Sequence, residues 1–157
     1  MMNDEILRIN GFEIVEDGFD QDKNKYYEGI FTQGNGYFHV RGSFEEGLAD
    51  APQNEVYTRT MKSVTTEQQR HPLSKQGTFL PLMMGKHPFL EEVIINLPYF
   101  MRIEIAAGNE KLDMIRSDIR DYRRVLNMKT GELTRSFTWI TASGEEIDAV
   151  SYTHLTL

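Results

Sequence analysis

The sequence predicts an all-β domain, built as an antiparallel sandwich. Three observations point there. Short apolar–polar alternations recur along the chain, glycine-containing turns separate them, and no long stretch carries a helical period. Aromatic residues make up 11% of the 157 residues, and twelve glycines recur at short intervals.

The first expected strand runs from Ile6 to Val15 and ends at a Glu16–Asp17–Gly18 turn. Tyr26–Thr32 is the second. Gly34-Asn35-Gly36 reads as a turn, because Gly and Asn adopt positive φ cheaply. Tyr37–Arg41 then alternates, with Phe38 and Val40 on one face and Tyr37, His39 and Arg41 on the other. All five prolines fall between Pro52 and Pro98, and Ala49–Arg70 is polar and aperiodic, so this part reads as a long surface excursion with a short helix within Thr65–Arg70.

Regular structure resumes near Val93. Met101, Ile103 and Ile105 alternate with Arg102 and Glu104, as in a strand with one wet face. Gly108-Asn109 signals a hairpin leading into Lys111–Met114. Arg120–Met128 follows as a strand. Ser117–Arg124 also suits a helical turn, but the hairpins on both sides favour strand. The Lys129-Thr130-Gly131 loop, with Gly131 left-handed, turns it into Leu133–Thr141. There Leu133, Phe137 and Trp139 share one face and Thr134, Ser136 and Thr138 the other. Ser143-Gly144 turns again into Glu146–Val150.

Seventeen basic and twenty-four acidic residues leave a net charge of −7, which argues against nucleic acid or an anionic membrane as partner and says nothing against a neutral sugar. The chain has no cysteine, which excludes disulfides and thiolate zinc sites and fits a reducing, cytoplasmic setting. The first ten residues, MMNDEILRIN, lack the apolar run of a secretory signal, and no apolar run is long enough to span a bilayer.

Each candidate for chemistry has a plain structural alternative. His39, His71, His87 and His154 do not have the short spacing of a metal site, so no metal is expected. Gly34-Asn35-Gly36 is no dinucleotide loop, because a strand rather than a helix follows it. Glu45 and Glu46 are adjacent, and neighbours in an extended segment point apart, so they make a poor acid/base pair for glycoside cleavage. Arg41 stands before Gly42 with both glutamates within loop reach. Either it clamps the turn by pairing with Glu45 and Glu46, or it contacts a sugar directly. Tyr99, Phe100 and Trp139 could stack on sugar rings, although a lone tryptophan beside Phe137 reads as core.

The run Phe31 to Gly47, which reads FTQGNGYFHVRGSFEEG, resembles the F-x-x-G-N-G-Y-x-x-x-R-G-x-x-E-E-G signature near the start of glycoside hydrolase family 65. Further segments are similar in order: Gly77-Thr78-Phe79 with Gly85, Asn96-Leu97-Pro98, Leu112-Asp113, and Tyr122 to Arg135. The likeness runs from about Ile9 to Val150. Asn127 stands where the pattern has Asp, His39 where it has Gly, and Glu55–Arg70 does not follow it.

The resemblance implies an N-terminal β-sandwich, supersandwich-like and incomplete, over residues 1–150. An atypical, candidate foreign tail would cover 151–157. It further implies a partner that the sequence lacks, a C-terminal (α/α) barrel carrying the general acid and the phosphate-binding residues. No catalytic residue is therefore assigned here, and no cofactor is expected. Asn35, Gly36, Tyr37, Arg41, Gly42, Glu45 and Glu46 carry the motif, as structural or active-site-rim residues. The whole enzyme would cleave an α-glucoside with inversion, inorganic phosphate acting as co-substrate in place of activated water. The alternative is a stand-alone carbohydrate-binding sandwich. A homodimer is a further expectation.

Overall fold

The computed structural model describes residues 6–46, 78–85, 93–97 and 100–155. Eleven strands and one short helix lie within them: β1 (Leu7–Asn10), β2 (Glu13–Asp17), α1 (Asn24–Ile30), β3 (Gln33–Gly34), β4 (His39–Val40), β5 (Thr78–Gly85), β6 (Val93–Leu97), β7 (Ala106–Ala107), β8 (Glu110–Lys111), β9 (Asp118–Asn127), β10 (Glu132–Ile140) and β11 (Glu146–His154). All pairings are antiparallel. One sheet has the order β1-β2-β9-β10-β11, a second β3-β4-β5-β6, and β7 and β8 form a small ribbon. The expected antiparallel β-sandwich class holds.

The large sheet carries the core on one face. On β9 the inward positions are Tyr122, Arg124 and Leu126, and on β10 Leu133, Arg135, Phe137 and Trp139. Two apolar clusters form. Tyr122, Phe137 and Trp139 pack with Phe44, Leu112 and Met114 at one end. Leu126 packs with Tyr27 and Phe31 at the other, joined by Ile14 and Leu133. Trp139, at 1% exposure, is core rather than a stacking surface.

Several expected elements differ in detail. The first strand is a hairpin, because Gly11 takes φ +61° and folds β1 back on β2. Glu16 and Asp17 belong to β2, and the turn falls on Gly18 at φ +99°. Tyr26–Thr32 is no strand. Its core is α1, whose buried residues Asn24, Tyr27, Glu28 and Phe31 stand at i, i+3, i+4 and i+7, the spacing of one helical face. Only His39 and Val40 of Tyr37–Arg41 join a ladder. Met101–Ile105 forms no ladder, and Ile103 is exposed. The segment instead bridges two neighbours, Ile103 N–H donating to the Glu45 carbonyl at 3.0 Å and Ile105 accepting from Leu112 N–H at 2.9 Å. In the next hairpin only Glu110–Lys111 pairs, with Ala106–Ala107.

Other expectations match. Ser117–Arg124 lies largely in β9, Gly131 takes φ +71°, and Gly108 closes β7–β8 at φ +58°. β11 continues through Ser151–His154, which pair with Arg135–Glu132, so residue 150 marks no break in the strand. His71, His87, Tyr99, Glu55–Arg70 and the helix within Thr65–Arg70 lie outside the described residues.

One bulge shapes β9. Asp121 and Tyr122 together oppose Phe137, and Asp121 takes φ +51°. The bulge restores the inward parity of Tyr122 and Arg124. A left-handed aspartate is less strained than a β-branched residue but still unfavourable. Asp121→Gly is expected to raise the free energy of unfolding by about 0.5–1 kcal/mol and Asp121→Val to lower it, as read by the midpoints of urea unfolding.

Candidate functional site

Between the two apolar clusters runs a row of buried charge. Glu16 on β2, Arg124 on β9 and Arg135 on β10 occupy one line of register, Glu16 opposite Arg124 and Arg124 opposite Arg135. All three are nearly inaccessible. Two guanidiniums facing each other in a core require anions on either side. Glu16 supplies one. Arg124 Nε donates to Glu16 Oε2 at 2.7 Å, and Arg124 Nη2 pairs with the same oxygen at 2.7 Å. The loop after β4 supplies the others. Arg135 grips Glu46 with both fork nitrogens, Nη1 to Oε1 at 2.9 Å and Nη2 to Oε2 at 2.6 Å, and Nη2 also lies 2.9 Å from Glu45 Oε2. Bidentate pairs of this kind fix direction as well as distance.

Aromatic rings fill the space around the guanidiniums. Phe31 lies over Arg124 at 4.4 Å and Phe44 over Arg135 at 4.7 Å, with Phe137 5.1 Å from Arg135. Phe44 also reaches Arg124 at 5.5 Å, so this loop residue touches both cations. Arg124 Nη1 donates to the Gly42 carbonyl. Gly42 is obligatory for a steric reason: a Cβ there would stand 2.5 Å from Phe31 Cβ and 3.1 Å from the Phe31 carbonyl oxygen. Its N–H donates to the Glu28 carbonyl at 3.0 Å, tying the loop to α1.

The expected Arg41 clamp is thus misassigned. Glu45 and Glu46 pair with Arg135, whereas Arg41 stands 3.8 Å from the buried Glu28 of α1. The physical reason is reach. Backbone alternation carries the glutamates over the sheet, toward an arginine rising from β10, while Arg41 turns back to the helix. The glutamates were also expected to point apart; the turn at Glu45–Glu46 brings both onto one cation.

At the other end of the motif, Asn35 Oδ1 accepts from the N–H groups of Tyr37 and Phe38 at 3.1 and 3.2 Å. Gly36 takes φ +88°. Gly34 faces the His39 ring so closely that a Cβ would overlap it. The turn is pinned, and Tyr37 at its tip is 75% exposed. Phe100 is also exposed and meets Phe38 edge-on at 5.6 Å. His154 is exposed on the last strand, next to Thr153, whose carbonyl accepts from Gln33 Nε2 at 3.1 Å.

Burial raises the Glu16 carboxyl above its ordinary value, against the opposing pull of Arg124. It likewise raises the Tyr122 hydroxyl, which lies 3.5 Å from Glu16. Burial depresses Arg135, but the Glu46 and Glu45 carboxylates outweigh it and push it up. Among the described residues, no three His, Asp or Glu side chains converge to hold a metal ion. Glu46 spends both oxygens on Arg135, and Glu45 sets its Oε2 2.9 Å from the same cation.

The fold and this lock define a β-sandwich whose buried polar centre ties the motif loop to the large sheet. The sequence profile of glycosyl hydrolase family 65, N-terminal domain, matches residues 14–155, and the chain belongs to that family. It is 29% identical over 136 residues to maltose phosphorylase of Bacillus subtilis, an alignment covering 87% of this chain and 16% of that protein. It is 28% identical over 123 residues to kojibiose phosphorylase of Thermoanaerobacter brockii (78% and 13%) and 28% over 144 residues to alpha,alpha-trehalose phosphorylase of the same organism (91% and 17%). A solved structure described as a kojibiose phosphorylase from the human microbiome superposes with a TM-score of 0.68 at 25% identity, covering 94% of this chain and 18% of that one. The chain therefore spans less than a fifth of the relatives it matches.

Sequence reasoning missed Glu16, Arg124 and Arg135. A signal was present: Arg135 lies at the same parity as Leu133, Phe137 and Trp139, a charge at an inward position.

Two predictions follow from the lock. Arg135→Met leaves two carboxylates buried without their cation and should cost about 3–5 kcal/mol of stability. Arg135→Lys should recover only part, since an ammonium cannot fork. Glu16→Gln tests the raised carboxyl. A carboxyl whose folded pKa lies above its unfolded value binds its proton more tightly when folded, so its contribution is greatest below the unfolded value and is lost as pH rises through the folded one. The stability advantage of the parent over Glu16→Gln should therefore shrink from acid to neutral pH in paired denaturation curves.

Proposed function

We propose that this chain is the N-terminal, non-catalytic part of an enzyme that cleaves α-glucosidic disaccharides by inverting phosphorolysis, releasing glucose 1-phosphate. The observation that carries the reading is the match over residues 14–155 to a family domain whose relatives here are named as maltose, kojibiose and trehalose phosphorylases. The reactive groups, the phosphate site and the general acid belong to a C-terminal (α/α) barrel that the chain does not include. The great length of the relatives supports that division. Inorganic phosphate is the co-substrate and no organic cofactor takes part.

In this reading Gly42, Glu45 and Glu46 anchor the motif loop, and Asn35 and Gly36 shape the turn that presents Tyr37 outward, at the rim of the barrel's active site. Arg41 fastens the loop's start to α1. The lack of cysteine supports a cytoplasmic setting, and no described helix is long and apolar enough to cross a membrane. The sandwich also offers its surface to a second copy in a homodimer.

A second reading, a free-standing carbohydrate-binding sandwich, draws on the exposed Tyr37 and Phe100 rings.

The full-length gene product, incubated with maltose, kojibiose or trehalose, should release glucose 1-phosphate only when phosphate is present. Release of free glucose by water alone would make it a hydrolase. No cleavage of any α-glucoside, with saturable sugar binding by the short chain, would favour the binding module.

A further inference from the structure

We propose that the cleft between the Glu45–Glu46 turn and the β7–β8 ribbon is a binding subsite for a neutral, hydroxyl-rich saccharide. It lies outside the motif turn and rests on the α-glucoside reading above. The cleft is half open to solvent, offers about 530 Å³ and is built by three segments: the motif loop, the bridge around Arg102–Ile105, and the chain from Glu110 to Ser117. That volume falls within the range of about 300–1,000 Å³ typical of small-molecule sites.

Its chemistry selects the ligand. Four carboxylates, Glu46, Glu104, Glu110 and Asp113, meet three cations, Arg102, Lys111 and Arg116. Arg135, behind Glu46, supplies the fourth positive charge. Glu45 shares Arg135 with Glu46, so five carboxylates stand against four cations, close enough to balance that no strong field favours an ion of either sign. A ligand that both donates and accepts does gain, because hydroxyls donate to carboxylates and accept from guanidinium and ammonium groups. Ile105 and Leu112 add apolar surface that suits the C–H face of a sugar ring.

Two of the polar groups, Glu46 and Asp113, are held in place before any ligand arrives. Glu46, with 2% of its side chain exposed, is locked by the Arg135 fork. Asp113 Oδ1 accepts from Ile115 N–H at 2.9 Å, and Ser117 Oγ accepts from Asp113 N–H at 3.0 Å. Glu104 is held by Arg102 and Lys111, each at 3.0 Å, and these cations keep its carboxyl below the usual range. Glu46 and Asp113, held in this way, lose little entropy on binding, whereas Glu104, Arg102 and Lys111 stand largely in solvent.

The test uses the full-length gene product and isothermal titration with maltose, in the absence of phosphate, beside the steady-state rate of phosphorolysis. The parent should bind two equivalents of maltose per chain. Glu104→Ala combined with Lys111→Ala should weaken one of them at least tenfold while kcat for phosphorolysis and the melting temperature stay unchanged. Asp113→Asn, which keeps the shape of the cleft, should weaken the same equivalent several-fold. A single equivalent in the parent, or two that are insensitive to both variants, overturns the subsite. Failure of phosphorolysis with two equivalents intact would sink the enzyme reading and leave the subsite standing.

Discussion

The domain depends on one arrangement, a buried line of charge across the large sheet in which two arginines are flanked by carboxylates. Glu16, Arg124 and Arg135 stand shoulder to shoulder on β2, β9 and β10, and the line ends on Glu45 and Glu46 from a loop distant in sequence. Such a line is not a general source of stability, because desolvating each ion costs as much as the pairing returns. It does supply specificity. Strand register has a period of two, so a one-residue slip of β9 against β10 would turn an arginine to the outer face and leave its carboxylates stranded. Only one register pairs all five charges.

The same line divides the core. Leu126 and Leu133 pack under α1 on one side, and Tyr122 and Phe137 pack with Phe44 and Met114 on the other. Phe31 and Phe44 bridge the two by lying against the guanidiniums. Arginine suits this place better than lysine would. Its planar cation stacks on a ring while its edges donate hydrogen bonds, so one side chain serves an apolar neighbour and an anion together.

The β class, the long hairpins β9–β10 and β10–β11 and the turn at Gly131 were legible because alternation and glycine chemistry are local signals. The motif loop's contacts were not. Arg41 looked like the partner of Glu45 and Glu46 because sequence shows proximity along the chain, whereas Arg135 lies 89 residues from Glu46 and meets it only through the sheet. Helix α1 was hidden for a different reason. Half of its buried face is polar, Asn24 and Glu28, so an apolar pattern could not reveal the helical period. Glu28 is buried because Arg41 and the Gly42 N–H converge on that helix, again a tertiary cause.

The motif residues divide by mechanical task. Gly42 lets the chain pass against Phe31, Phe44 fills the space between two arginines, and Glu45 and Glu46 close the charge line. Asn35 and Gly36 set a turn. Tyr37 takes no part in this work: its ring stands in solvent on a backbone held by Asn35 Oδ1, which accepts from the Tyr37 and Phe38 N–H groups. Ordering a turn so that its largest apolar group remains exposed costs conformational entropy and leaves apolar surface wet. A contact that covered the ring would recover that cost. A stiff aromatic group with few rotatable bonds gives such a contact at small entropic loss. The buried half of the motif therefore limits where the exposed half can stand, because the ion pairs to Arg135 on β10 and the Arg124–Gly42 bond to β9 anchor the loop that carries it.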